Sequence, residues 1–435
     1  MLTAPALLLA LAAVAQPAPS LSPLEKAQGF KLYSGPDATS LWHAFKQPSF
    51  PAKGWTVKDG VFTQSAPSDG DIVTNDQFTD FELTLDFKAD AKANSGIMWR
   101  VLDKHDATWN TGPEYQVLDD KGHEGLKPAQ GVGSLYDLYV APADKPVKPA
   151  GEWNTARIYM RGGVLQHWLN GTKVVDAKLF DDAGSPSQEW AGKIAASKFK
   201  AYEGFGIQPK GSIALQEHGG GAAFRNIKIR DLAASGPGEL KLLATANAAH
   251  GKDIEGWECI VPDLTSKGEH AGAPWSVKEG VLICSGTPAG YIRTKSTHDN
   301  FILKLQWRFS PITKQAGNSG VLVRMTGEDK VWPKSVEAQL HSGNAGDFWN
   351  IGDFAMTTDP ARTKGRNTKK THAAERPIGE WNEYEIIVNG PTITLFVNGE
   401  QVNEATGVEV VPGHICLQSE GAEIHFKNIR LTPLK

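Results

Sequence analysis

The stretch FELTLDFKA, residues 81–89, alternates strictly: Phe81, Leu83, Leu85 and Phe87 share one face of an extended chain, and polar residues mostly fill the other. A helix would show a period near 3.6, which is absent here. The same pattern is written again as FILKLQWRF at 301–309, with Phe301, Leu303, Leu305 and Trp307 in the matching places. Further blocks repeat around this pair in the same order. GWTVKDGVF (54–62) returns as PWSVKEGVL (274–282), and NSGIMWR (94–100) as NSGVLVR (318–324). GEWNTARIYM (151–160) returns as GEWNEYEIIV (379–388), and LNG (169–171) as VNG (397–399). GSIALQEHGG (211–220) returns as GHICLQSEGA (413–422), and FRNIKIRDL (224–232) as FKNIRLTPL (426–434). The chain is a tandem repeat with homologous domains at 29–232 and 240–435, joined by the turn-rich AASGPG (233–238).

Composition agrees with this organisation. A chain of 435 residues suits more than one core, and 45 glycines with 26 prolines favour short strands and tight turns. Asn170-Gly171 is a type I′ hairpin signal after GVLQHWL. Alternating strands with frequent turns predict an all-β sandwich in each copy. A net charge of −4 with no basic run argues against nucleic acid, and no polybasic segment points to a lipid surface. Thirteen tryptophans supply core and, where exposed, rings that could stack on sugars.

Residues 1–15 read as an export signal, with an apolar run from Leu7 to Val14 and small residues before a cut near Gln16. The amino-terminal region carries no Lys or Arg. This predicts a secreted or periplasmic protein. The three cysteines, Cys259, Cys284 and Cys416, have no metal-type spacing, and buried free thiols are the expected state.

The two copies differ in where they carry extra chain. The first inserts SPSQEWAGKIAASKFKAYEGFG (185–206), whose middle predicts a helix ending at Gly204. The second adds SGNAGDFWNIGDF (342–354), which contains Asp347. Strand parity also nominates polar groups pointing away from each core. In PEYQVLDD (113–120), Tyr115 and Val117 face inward and leave Glu114 and Gln116 outward. In VEAQLH (336–341) the outward set is Glu337, Gln339 and His341. The closing strands add Gln216 and His218 in the first copy and Gln418 and Glu420 in the second, and Arg100 and Arg324 fall outward on the repeated NSG strands. His218 precedes three glycines, which would let a ligand approach the backbone closely. Asp119 and Asp120, at a strand end, fit either a turn or a site.

GFKLYSG (29–35), NSGIMWRV, PEYQVLDD, GSLYDLY (133–139), HWLNGTKVV, SKFK and IALQEHGG, in this order, resemble the 3-keto-disaccharide hydrolase domain. The resemblance covers both copies. It implies tandem concanavalin A-like jelly-roll sandwiches, a sugar site on one sheet face, and action on 3-keto-glycosides made by a partner oxidoreductase. Jelly-roll glucanases set carboxylates as Glu-x-Asp-x-x-Glu. Here the spacing is Glu114-x-Gln116-x-x-Asp119, with an amide in the middle, which weakens an ordinary two-carboxylate glycosidase.

A C3 carbonyl makes the C2 proton acidic, so elimination across C2 and C1 followed by hydration gives net hydrolysis. That route needs a base, for which His218 is suited, and help at the enolate oxygen from Arg100, Lys198 or a divalent metal ion. Glu114 could orient the base, bind a metal or protonate the leaving group. Gln116 and Gln216 would hold sugar hydroxyls, and Tyr136 and Trp190 are candidate ring contacts. The first copy, with His218 and the 185–206 insert, is the expected catalyst. Carbohydrate binding without catalysis is the alternative, and stands level with it for the second copy.

Overall fold

The computed structural model describes residues 19–65, 68–236, 238–265 and 274–434. The expected export segment, 1–15, lies outside the described residues. Among them, no helix is long and apolar enough to cross a membrane. The chain divides into two compact units, the first ending at Ala234 and the second beginning at Ser235.

Each unit is a pair of antiparallel sheets, as alternation requires. In the first unit one sheet runs in the order Thr172–Lys178, Val164–Leu169, Asn154–Arg161, Phe81–Ala89, Ala222–Asp231, Val61–Gln64, Trp55–Lys58. The other runs Trp42–Ala44, Ile72–Phe78, Gly211–Leu215, Asn94–Val101, Glu114–Leu118. Phe81, Leu83, Leu85 and Phe87 of the first sheet join Ile97, Trp99, Tyr115, Val117, Ile213 and Leu215 of the second in one core. The second unit repeats this with Phe301, Leu303, Leu305 and Trp307 against Val321, Val323, Val336, Ala338, Ile415 and Leu417. The fold is all-β, built twice.

The repeated turn words do the same work in both units. Asn170 and Gly171 have φ of 48° and 81°, and Asn398 and Gly399 have 50° and 80°, so each hairpin is type I′. Each turn asparagine is also an anchor. Asn170 Nδ2 donates to Asn154 Oδ1 at 2.8 Å, and Asn398 Nδ2 donates to Asn382 Oδ1 at 2.8 Å. Their oxygens accept from the Thr155 and Glu383 N–H groups, both at 2.8 Å. That is why the asparagine of GEWN recurs with the NG turn.

The insert in the first unit forms a helix at Gln188–Ala196, started by the Ser187 side chain accepting from Trp190 N at 3.1 Å. It stops eight residues before the expected Gly204. Ser197 turns extended and its hydroxyl accepts from Phe199 N at 3.1 Å, opening a separate 3-10 turn at Lys198–Ala201. The second unit spends its extra residues on sheet. Phe348–Ile351, Asn367–Thr368 and Thr363–Lys364 continue the edge beyond Lys334–Gln339. In the first unit that edge is covered instead by the LYDLY loop, with Tyr136 N donating to Glu114 O at 3.0 Å. All three cysteines are free, with Cys284 and Cys416 buried.

Candidate active site

The outward face of each second sheet carries the polar residues that parity nominates, with one systematic exception. Met98 and Val101 lie together on that face with Val73 and Ala214, although three residues apart. A bulge makes this possible. Ala214 pairs with Met98 but Ser212 pairs with Val101, and Arg100 sits at a φ of 55°. The extra residue turns Arg100 inward. Its guanidinium lies 4.4 Å from the Phe180 ring centroid, and Nη2 donates to Thr79 O at 3.4 Å. Burial lowers its pKa to about 10, opposed by the Asp80 charge.

Arg324 repeats the bulge, with a φ of 53°, and its Nη1 and Nη2 donate to Val411 O at 2.7 Å and Gly390 O at 2.8 Å. Neither arginine is on the outward polar face. Strict alternation placed them there, and the bulge overrides it. A β-carbon at Gly211 or Gly413 would stand 2.4 Å from the carbonyl carbon of Arg100 or Arg324, so the bulge and its facing glycine form a unit.

The floor of the first site is Glu114. It pairs with Met98 across the sheet, and its carboxyl folds over the backbone of Gly96. A β-carbon there would stand 2.1 Å from Glu114 Oε1. The glycine of NSG is therefore the space the carboxyl occupies. Gln116, on the same face, lies with its amide 2.8 Å from Glu114 Oε1 in the orientation that satisfies both of its ends. Burial pushes the Glu114 carboxyl up to about 8; the charges of Asp71 and Asp137 add to this and Lys198 opposes it. At neutral pH Glu114 holds a proton.

Around it stand groups from three loops. Lys198, on the turn after the helix, pairs with Asp137 at 3.1 Å and lies 4.5 Å from the Tyr136 ring centroid. Gln130 Nε2 donates to Asp137 at 2.8 Å and to Tyr136 Oη at 3.4 Å, tying this corner together. Asp71, just before the Ile72–Phe78 strand, accepts from Glu217 N at 2.8 Å and from the Thr108 hydroxyl. Burial raises its pKa, and the charge of His218 opposes the rise. His218 is exposed, Gln216 half-buried. The structure thus brings Glu114, Gln116, Lys198 and Tyr136 together, with Asp71 acting on Glu114 and His218 acting on Asp71.

Other expected residues lie elsewhere. Trp190 is fully buried, with Nε1 donating to Gly206 O at 3.2 Å; it is the core of the insert. Asp119 accepts from Lys92 N at 2.9 Å, and Asp120 accepts from Val132 N at 2.8 Å while pairing with Lys145 at 2.9 Å. Both are loop anchors. Asp71 was missed by parity because it precedes a strand rather than lying in a repeated motif. Among the described residues, no three His, Cys, Asp or Glu side chains are grouped to hold a metal ion.

The second unit keeps the floor and changes the walls. Glu337 takes the place of Glu114, and a β-carbon at Gly320 would stand 2.4 Å from both Glu337 Oε1 and Gln418 Oε1. Burial pushes Glu337 up to about 8, with the Glu420 charge adding to the rise. Thr294 accepts Ile415 N as Thr74 accepts Ile213 N, and three residues earlier Tyr291 stands where the first unit has Asp71. Tyr291 instead donates to Asp329 at 2.9 Å. A cleft of about 230 Å³ is lined by Asn318, Trp332, Glu337, Gln339, Trp349, Ile351, Arg366 and Glu420. His341 lies past the strand end, where it pairs with Asn344, and Asp347 holds Lys369 Nζ and Lys370 N at 2.8 and 2.9 Å. Neither lines the cleft.

Comparison with known proteins accounts for both units. The 3-keto-alpha-glucoside-1,2-lyase-like domain matches residues 31–230 and again 245–432. A 3-keto-disaccharide hydrolase of Bacteroides thetaiotaomicron is 30% identical over 223 residues, which are 44% of this chain and 74% of that protein. A crystal structure from Parabacteroides distasonis, described as a candidate glycosyl hydrolase, is 34% identical; the match covers 49% of this chain and 99% of that one, at a TM-score of 0.44. A second structure from the same organism is 32% identical over 47% of this chain and 99% of its own, at 0.36. The family match runs over both repeats and most of the chain, and the protein belongs to the 3-keto-alpha-glucoside-1,2-lyase-like domain family, carrying the domain twice.

Proposed function

We propose that the protein is a carbohydrate-cleaving enzyme whose first unit splits 3-keto-glycosides by elimination and then hydration. The observation that carries this reading is Glu114, a buried carboxyl folded over Gly96 whose pKa is pushed up to about 8, with the charges of Lys198 and Asp71 acting on it and His218 acting on Asp71. In this reading His218 takes the C2 proton, and the C2–H electron pair moves to the C3 carbonyl as an enolate. Lys198, free of any deeper burial, neutralises the charge on that oxygen. The enolate then re-forms the carbonyl while the C1–oxygen bond breaks, and Glu114 gives its proton to the departing oxygen. Water adds across the C1–C2 double bond, hydroxyl to C1 and proton to C2, so one water is consumed overall.

Asp71 steadies the protonated histidine, and Gln116 with Gln216 holds sugar hydroxyls. An oxidoreductase acting at C3 must supply the substrate. Exported by residues 1–15, the enzyme would work outside the cytoplasm, and a mature N-terminus near residue 16 is the check. The defining experiment offers a 3-keto-disaccharide and its unoxidised parent in deuterated water. Cleavage of the keto form alone, with deuterium at C2, is the expected result. Equal cleavage of the parent would replace this mechanism with that of an ordinary glycosidase.

A further inference from the structure

The second unit's cleft has features that the first unit's catalytic reading does not use. Trp332 and Trp349 are 43% and 36% exposed, the two tryptophans among the exposed large hydrophobic residues described. Eight others, including Trp99, Trp257 and Trp307, are buried. An indole face left in water forgoes the gain of burying a large apolar surface, so two on one rim call for a ligand. Both line the same cleft.

The position of Trp349 follows from sheet pairing. It sits directly across from Glu337, with its neighbour Phe348 fully buried in the core, so its ring is held outward beside the carboxyl. The strand that carries it belongs to the sheet extension that the first unit lacks. Arg366, also lining the cleft, comes from the next turn of the same extension.

The floor beneath the rings is polar and mostly dry. Glu337 and Gln339 are over nine-tenths buried. Gln339 Oε1 already accepts from the Leu340 and His341 N–H groups at 2.9 and 3.0 Å, which leaves its amide N–H as the group it can offer. Gln418 is fully buried against the same floor, where its side chain bonds to Glu337 over Gly320 and holds the carboxyl in place.

We propose that this cleft is a separate binding site for an uncharged pyranoside with its hydroxyls intact, held by ring stacking on Trp332 and Trp349 and not cleaved there. The apolar face of the sugar meets the indoles; its hydroxyls meet Glu337, Gln339, Glu420 and Arg366. The base of the first unit and the aspartate beside it are both changed here, His218 to Glu420 and Asp71 to Tyr291, and the Lys198 turn has no counterpart among the described residues. The Glu420 charge acts on a second carboxyl, Glu337. The assignment does not depend on the chemistry proposed for the first unit.

The test uses the full chain and two unoxidised neutral probes, cellobiose and trehalose, followed by calorimetry. Saturable binding of at least one probe is expected. It should weaken tenfold or more in Trp332→Ala/Trp349→Ala, stay within a few-fold in Trp349→Phe, and persist in Glu114→Gln. The rings are at the surface, so the variants should fold, and an unchanged melting curve checks this. Absence of saturable binding, or binding indifferent to loss of both rings, would overturn the site. Release of glucose from either probe by a chain carrying His218→Ala would overturn the assignment as binding only.

Discussion

The two clefts stand on the same backbone and differ in almost everything above it. Glu114 and Glu337 each fold over a glycine, each oppose a hydrophobic residue on the NSG strand, and each have a carboxyl raised to about 8. Above that floor, the first unit places a lysine turn, a tyrosine, an aspartate and a histidine. The second places two exposed tryptophans, an arginine and a second glutamate. A shared sheet fixes where a carboxyl can be buried; the loops and the sheet edge determine whether that carboxyl has a base to work with. Repetition of a strand is thus evidence about the scaffold and not about the chemistry carried on it.

The largest expected separation is kinetic. His218→Ala should lower kcat on a 3-keto-disaccharide by about 10²–10⁴-fold, the usual worth of a positioned general base. Rates and melting curves together distinguish this from misfolding. A loss below threefold would remove His218 from the reaction.

The next separation lies in pH. Because Glu114 must be protonated to serve the leaving group, kcat should fall as pH rises through about 8, and Glu114→Gln should abolish that alkaline limb along with most activity. The same carboxyl, with a folded-state pKa near 8 against an ordinary value of 4.5, favours the folded state at low pH. That advantage is complete below about 4.5 and is lost as pH rises through 8. At about 1.4 kcal/mol for each tenfold change in proton affinity, several kcal/mol are involved. Glu114→Gln and Glu337→Gln should therefore both raise the melting temperature more at pH 9 than at pH 4.5. This is where the two units should behave alike, and a pH-independent difference in either would contradict the burial account of its carboxyl.

Smaller effects should also be matched between units. Gly96→Ala and Gly320→Ala each drive a β-carbon into a carboxyl, and each should cost about 1–3 kcal/mol in chemical denaturation. The hairpin asparagines provide the finest comparison. Asn170→Ala and Asn398→Ala remove the same bonds and the same left-handed turn residue, so each should cost about 1–2 kcal/mol. Unequal costs would show that the units' shared turn is not doing shared work.

Much of the scaffold was legible because period-two alternation and turn words are local signals. FELTLDFKA and FILKLQWRF reveal their core faces directly, and NG names its turn. Parity also found Glu114, Gln116, Glu337 and Gln339. It failed at Arg100 and Arg324, where one bulged residue reverses every inference beyond it. Trp190, a candidate ring contact from the sequence, is instead buried in the core, because the insert folds around it. Asp71, Trp332 and Trp349 join their sites through pairing between distant segments or from loops, which no local pattern reports.

The central claim is that cleavage belongs to the first cleft. Initial rates on a 3-keto-disaccharide, measured with full chains carrying either Glu114→Gln/His218→Ala or Glu337→Gln/Glu420→Gln, test it most directly. The account predicts that the first pair abolishes turnover and the second leaves it within a few-fold of the parent chain. Turnover that survives the first pair and vanishes with the second would contradict it.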